Sequence, residues 1–495
     1  MIARSLASTL STSFTGARLL RLILVIFVAL ASYSLVGHFV GAGNSESESM
    51  LIGRALLGAS GKMGVGEMIA AYPPLGILPL ITLHDILGLD GLTTSRILSA
   101  VLVASLAGAW FESFVRGGYS AWSALLLTLL LAFNPLFLQA VSEGPDSALT
   151  LWGTWAFAIS IFSLRHRGSV NDVMLCSATL ALLAFSGPIG AVFAVASLPF
   201  LAMAIPGDIR PGNYADVYLV LLFPVFFGFG GFILVNWMML HDPFAFLRNL
   251  EVAHVWDAGD WSTIALEIVS TVACVPILLA LFILARGRRS IQASAFALLG
   301  TAMLATVAAI RTGAAGSITT ALAPVVPIAA AAAMRLPLHE ARVRHAALLL
   351  ALGMAGSGSI MLAESRAWPR QLHESSPIDA DQIIARAAEQ EAGRFLAGRT
   401  GVLMDAEAHP RLIAARGSAR GLVTDTDVAF TLSILRRRIE TDAVVVQAPD
   451  PSRNADLITR TFPDLYSQGA PGFRLAYDRG GWRVWERERP RKAHP

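Results

Sequence analysis

The carboxylates Glu46 and Glu48 sit in the run Ser45-Glu46-Ser47-Glu48-Ser49, a few residues before Arg54 and Lys62. A carboxylate held beside a cation can deprotonate a hydroxyl while the cation neutralises an anionic leaving group. The same run also reads as a solvated acidic loop, because surface acids are the rule. Lys62 is one of only two lysines in the chain. Further on stand Tyr72-Pro73-Pro74, Arg96, Glu143-Gly144-Pro145-Asp146, His241-Asp242 and Arg248. Arg54, Lys62, Arg96 and Arg248 could bind a lipid phosphate, for which such side chains are suited. Each could equally snorkel to lipid headgroups as an anchor. Asp146 follows Pro145 at a helix start, a place that helix capping alone explains. A divalent metal at His241 or His254 is conceivable, though the ligand spacing is uninformative. Trp256 and Trp261 nearby suit a membrane interface.

The elements that must position these residues follow from composition. The chain has 495 residues, 55% hydrophobic and 15% charged, with a formal net charge of +3. Soluble proteins carry about 25% charged residues. The deficit is uneven: residues 365–495 hold 20 of the 38 Lys+Arg and 17 of the 35 Asp+Glu. That pattern excludes a soluble enzyme, a disordered chain and a nucleic-acid-binding protein. It describes a membrane domain, 1–364, followed by a soluble domain, 365–495. Both cysteines, Cys176 and Cys274, lie in apolar runs, so the soluble part has no disulfide framework.

Apolar runs predict spans over roughly 19–41, 93–115, 120–141, 147–164, 172–205, 216–239, 263–285, 291–310, 317–335 and 345–363. Gly187-Pro188 breaks the run 172–205 into two short helices, which gives about eleven spans. The segment 75–89 reads as an interfacial helix. Basic turns carrying Arg116, Arg165-His166-Arg167, Arg210, Arg286-Arg288-Arg289 and Arg335-Arg342-Arg344 follow the even-numbered spans. The positive-inside rule then puts the N-terminus in the cytoplasm and the tail outside, in a bacterial inner membrane. The first helix has no small-residue cleavage site and reads as a retained anchor. The fold class is therefore mostly α, a polytopic helix bundle with a small C-terminal α/β domain. In that domain, Ile378–Leu396 and Asp427–Ile439 read as helices, Gly401–Asp405 and Asp442–Gln447 as buried strands. Phe473–Tyr477 and Trp482–Trp485 read as a hairpin.

These elements, in this order, resemble the GT-C glycosyltransferases, nearest the branch of protein O-mannosyltransferases and lipid A aminoarabinose transferases. The resemblance rests on an outer-loop acid after the first span, the Ile52-Gly53-Arg54 element and the Pro73-Pro74-Leu75 turn. It continues through Arg96-Ile97-Leu98-Ser99, Asn134-Pro135, Glu143-Gly144-Pro145-Asp146 and Phe185-Ser186-Gly187-Pro188-Ile189-Gly190. Asp242-Pro243-Phe244-Ala245-Phe246-Leu247 is similar to a later Asn-Pro-Phe-x-Phe element. Ala323-Pro324-Val325-Val326-Pro327 is similar to a Leu-Pro-x-x-Pro element that opens a span. Together they cover roughly residues 15–365.

The resemblance implies inverting transfer of a sugar from a polyprenyl-phosphate donor to an extracytoplasmic acceptor. Glu46 would be the catalytic base, with Glu48 and Asp146 orienting base or acceptor. Arg54, Lys62, Tyr72, Arg96, His241 and Arg248 would line the substrate site. The resemblance names no cofactor, and the divalent metal at His241 or His254 is the one candidate. Three positions depart from the family pattern. With Arg54 placed on the family's Arg, the usual Asp-Glu pair falls on Ser45-Glu46; Tyr72 stands where relatives have Lys or His; Ser186 replaces a Lys. Those losses favour an alternative, a GT-C-like subunit without catalysis that assembles with partner chains of a membrane complex. A transporter is a third reading; few ionisable residues within the spans and no paired half-repeats speak against it.

Overall fold

The computed structural model describes residues 18–35, 46–64, 68, 72–205, 214–244, 261–285, 287–315, 317–336, 341–373, 378–406, 408–449 and 456–488. Helices dominate in chain order, and a five-stranded sheet closes the chain. The chain divides into two compact units. The first comprises 1–41, 72–76 and 96–368; the second comprises 42–71, 77–95 and 369–495. The structure thus adds the segments 42–71 and 77–95 to the tail expected from sequence.

Among the described residues, six helices are long and apolar enough to cross a membrane. They are α1 (Arg18–Leu35), α4 (Gly91–Arg116), α7 (Pro145–Arg167), α10 (Tyr214–Leu240), α13 (Arg289–Arg311) and part of α16 (Ala341–His373). Helices α2 (Glu46–Ala59) and α3 (Pro74–Leu87) stand between α1 and α4. Two further spans are bent pairs. Helices α5 (Ala121–Ala132) and α6 (Pro135–Val141) meet at 60°, and α11 (Trp261–Ala273) and α12 (Pro276–Leu284) at 69°. Each bend has a proline at the first position of its second helix, which cannot donate to the preceding turn. Counting each pair once gives up to eight spans.

The remaining expected spans are helical but shorter: α8 (Val170–Ser186), α9 (Pro188–Ala204) and the pair α14 (Ile318–Leu322) and α15 (Val325–Ala333). The sequence-based count of eleven is reached only if these cross too. The Ala-rich run is fully buried from Val325 to Ala333, as expected of closely packed helices. By contrast, Leu219, Phe223, Phe226, Phe227 and Trp237 of α10 are all exposed, as lipid-facing residues are.

The second unit is built around a sheet of order β2-β1-β3-β5-β4. Strands β1 (Val402–Leu403), β2 (Leu422–Val423) and β3 (Ala443–Gln447) are parallel, with Val402 opposite Leu422 and Ala443. Strands β4 (Phe473–Arg479) and β5 (Trp482–Arg487) form the terminal hairpin, and β5 runs antiparallel to β3. Helices α17 (Ile378–Phe395), α18 (Pro410–Arg416), α19 (Val428–Arg436), α20 (Leu457–Thr461) and α21 (Leu465–Gln468) complete the tail. The sequence reading found α17, α19, β1, β3 and the hairpin. It missed β2, α18, α20 and α21, which are too short to show a period.

Buried Arg416 ties this unit together. Its guanidinium donates to the carbonyls of Leu396, Arg399, Ser418 and Arg420, so one side chain satisfies the main chain around two turns. Loop segments also belong here. Helix α2 buries Leu51, Ile52, Ala55 and Leu56, while α3 buries Ile77, Leu80 and Ile81 and leaves Leu78, Ile86 and Leu87 exposed.

Candidate functional site

In the first unit the site candidates gather where three turns meet. Gly144 has φ 119°, a conformation that favours glycine, and it delivers Pro145 and Asp146 to the first turn of α7. Asp146 is buried at 4% exposure. Its carboxylate lies against the next break in the chain: a Cβ added to Gly187 would meet Asp146 Oδ2 at 3.6 Å. That break, Gly187-Pro188, separates α8 from α9, because Pro188 opens a new helix. Gly190 fits one turn on because it has no side chain; a Cβ there would collide with both the Leu183 carbonyl oxygen and Ser186 Oγ. Ser186, where the resembling family has Lys, is fully buried. It donates to Leu183 O at 2.9 Å and pairs with Thr150 Oγ1 at 2.9 Å.

Tyr72 joins the third turn to this place. Its hydroxyl donates to Ala184 O at 2.8 Å and to Gly187 O at 3.2 Å. Burial first, and the Asp146 carboxylate second, push its ionisation well above the ordinary tyrosine range. Tyr72 is therefore a neutral donor and no stand-in for the cation of the resembling family. The structure thus brings together Tyr72, Asp146 and Ser186, which the sequence singled out separately.

Two further polar contacts in this unit were missed by sequence reasoning. Glu267 of α11 pairs with Arg311 at the end of α13 at 3.1 Å, with side chains only 6% and 12% exposed. Thr320 of α14 donates to the Glu143 carboxylate, tying α14 to the turn before α7. Glu267 stands inside the apolar run 263–285, and an ionisable residue in such a run is the signal that could have marked it. Arg96 is half-buried, one turn into α4. His241 is exposed just after α10, in the left-handed region at φ 56°. The neighbouring Asp242 accepts from the Phe244 amide at 2.9 Å, a local turn around Pro243. Arg248 and His254 lie outside the described residues.

The second unit holds the other candidates. Glu46 is the first residue of α2; its side chain lies outside the described residues. Glu48 is described, and it is buried at 1% exposure, with Oε1 accepting from Ser95 Oγ at 3.0 Å. Arg54 is half-buried on the same helix. Lys62 is ion-paired with Asp427, its Nζ lying 2.5 and 2.6 Å from the two carboxylate oxygens. Burial alone would raise the Asp427 carboxyl, but Lys62 and the Thr424 amide outweigh it and hold it below the ordinary range. Asp405, just after β1, accepts from the amides of Leu457 and Ala408. His409 pairs with Asp456 at 3.1 Å, and Asp456 also caps α20 through Thr459.

The two sets of candidates thus stand on different supports, Tyr72, Asp146, Arg96 and His241 in one unit, Glu46, Glu48, Arg54 and Lys62 in the other. Among the described residues, no group of three His, Cys, Asp or Glu side chains could hold a metal ion. Neither a family model nor a curated protein matches the chain.

Proposed function

We propose that this chain is a membrane glycosyltransferase that moves a sugar from a polyprenyl-phosphate donor to an extracytoplasmic acceptor, with inversion. The supporting observation is the meeting of three separated sequence elements: Tyr72 of the Pro-Pro turn, Asp146 of the Pro-Asp turn and the Ser186-Gly187-Pro188 break. In this reading Glu46 takes the proton from the acceptor hydroxyl. The hydroxyl oxygen forms a bond to the anomeric carbon from the face opposite the phosphate. The bond from that carbon to the phosphate oxygen breaks, and the electron pair leaves with the polyprenyl phosphate. On the same helix Arg54 neutralises the departing phosphate and Glu48 orients the base.

The finer topology is part of the same reading: eleven spans, N-terminus in the cytoplasm, tail outside. The sharing of one unit by the first loop and the tail supports it. Segments folded together lie on one side of a membrane, so the chain between them crosses an even number of times. The eight spans, less α1, leave seven crossings. Letting α8, α9 and the α14–α15 pair cross as well makes ten. The basic turns at Arg165-His166-Arg167 and Arg210, on either side of α8 and α9, fit a two-way crossing there.

A second reading, a GT-C-like subunit without catalysis, is favoured by one observation: the Lys62 ammonium is already neutralised by Asp427. Mass spectrometry of lipids copurifying in mild detergent separates the two. A polyprenyl phosphate or its sugar ester is the outcome expected of the transferase. Phospholipid alone, together with stable partner chains, would favour the subunit.

A further inference from the structure

Helix α2 is fixed at two points by the tail. The first is mid-helix. At Gly53 the main chain of α18 comes so close that an added Cβ would collide with Pro410 O, a gap only glycine leaves. The second lies just past the end of α2. Lys62 Nζ sits 2.5 and 2.6 Å from the Asp427 carboxylate, and Thr426 Oγ1 donates to Lys62 O at 3.0 Å. Asp427 is itself held by the Thr424 amide at 2.8 Å. The pair is partly shielded, with side chains 22% and 27% exposed.

A helix is stiff, and the Lys62 amide donates to Leu57 O at 2.9 Å, so one point on the helix and one on its C-terminal turn set both its rotation and its register. Glu48 lies five residues before Gly53, about 7.5 Å along the axis at 1.5 Å per residue. Holding Gly53 against Pro410 and Lys62 against Asp427 therefore holds the first turn of α2. Glu48 and Ser49 are buried in that arrangement.

We infer that the tail is a clamp that positions α2, with Gly53 and Asp427 as positioning residues for its first turn and for the Glu48 carboxylate there. The clamp stands on its own contacts; only its use in catalysis rests on the transferase reading. The tail then contributes geometry to the site without touching a substrate.

The test uses the full chain in native membranes, with Ser49→Cys as reporter. Ser49 is 6% exposed, and the native Cys176 and Cys274 are buried, so background labelling is low. The probe is a membrane-impermeant maleimide. In the Ser49→Cys chain the thiol should be protected. Lys62→Glu and Asp427→Lys should each raise its labelling rate roughly fivefold or more, since like charges replace an ion pair. The charge-swapped double variant, Lys62→Glu with Asp427→Lys, should restore protection. Gly53→Leu, which opposes Pro410 with a full side chain, should expose the thiol without touching the ion pair. Equal labelling in all five chains would overturn the clamp, as would a double variant as exposed as the singles. Donor turnover measured on the same membranes keeps the two ideas apart. Restored protection without any turnover in the parent chain counts against the transferase reading and leaves the clamp standing. Normal turnover in an exposed single variant overturns the positioning role.

Discussion

The Tyr72 hydroxyl donates to the main-chain oxygen of Ala184 at 2.8 Å, across 112 residues of sequence. A side chain in the turn before α3 thereby stitches itself to the last turn of α8, beside the Gly187-Pro188 break. Tyr72→Phe removes this donor and leaves a buried carbonyl short of a partner. The expected cost is about 1–3 kcal/mol, read as a lower unfolding temperature in detergent. An unchanged unfolding temperature would show that the bond holds nothing.

The Glu267–Arg311 pair is buried, so removing one partner should be worse than removing both. Glu267→Gln takes away the carboxylate charge that faces the Arg311 cation and should destabilise by about 3–5 kcal/mol. The double change Glu267→Leu with Arg311→Met should recover most of that loss. Thermal unfolding of the three variants checks it. A double variant no better than the single would mean the pair is a net stabiliser.

Acid should loosen the second unit. The Asp427 and Asp456 carboxyls are held below their ordinary value, against the upward pull of burial, by Lys62 and Thr424 and by His409 and Thr459. A carboxyl depressed on folding contributes stability above its unfolded value, near 4, and loses it as pH falls through the folded value. Limited proteolysis of 369–495 should thus be flat from pH 7 to about pH 5 and rise below about pH 4. Asp427→Asn and Asp456→Asn should each flatten that rise.

A reporter active only outside the cytoplasm, fused after Ser60 and separately after Glu488, should give the same strong signal at both sites. Opposite signals at the two sites would contradict a shared unit and the even number of crossings between them.

Most of the helical framework was legible because burial in lipid leaves a strong local trace. The apolar runs 93–115, 147–164, 216–239 and 291–310 became α4, α7, α10 and α13, helices long and apolar enough to cross a membrane. The alternation in Phe473–Tyr477 and the β-branched run Val444-Val445-Val446 likewise announced β4 and β3. The joint between α2 and the tail was not legible. No periodicity links Gly53 to Pro410, or Lys62 to Asp427, which lies 365 residues further on. For the same reason the pairing of Lys62 with a carboxylate of the tail is seen only in the fold. Tyr72 and Asp146 were each found from their motifs, but their common place at the α8–α9 break came only from the fold.

Donor turnover by the purified chain is the most direct test of the account. With a labelled polyprenyl-phosphate sugar, the wild type should release polyprenyl phosphate and inverted product. Glu46→Gln should slow that release by about 10²–10⁴ while donor binding stays intact. Release at the same rate from wild type and Glu46→Gln, or an intact donor in the wild type with every acceptor class tried, would contradict it.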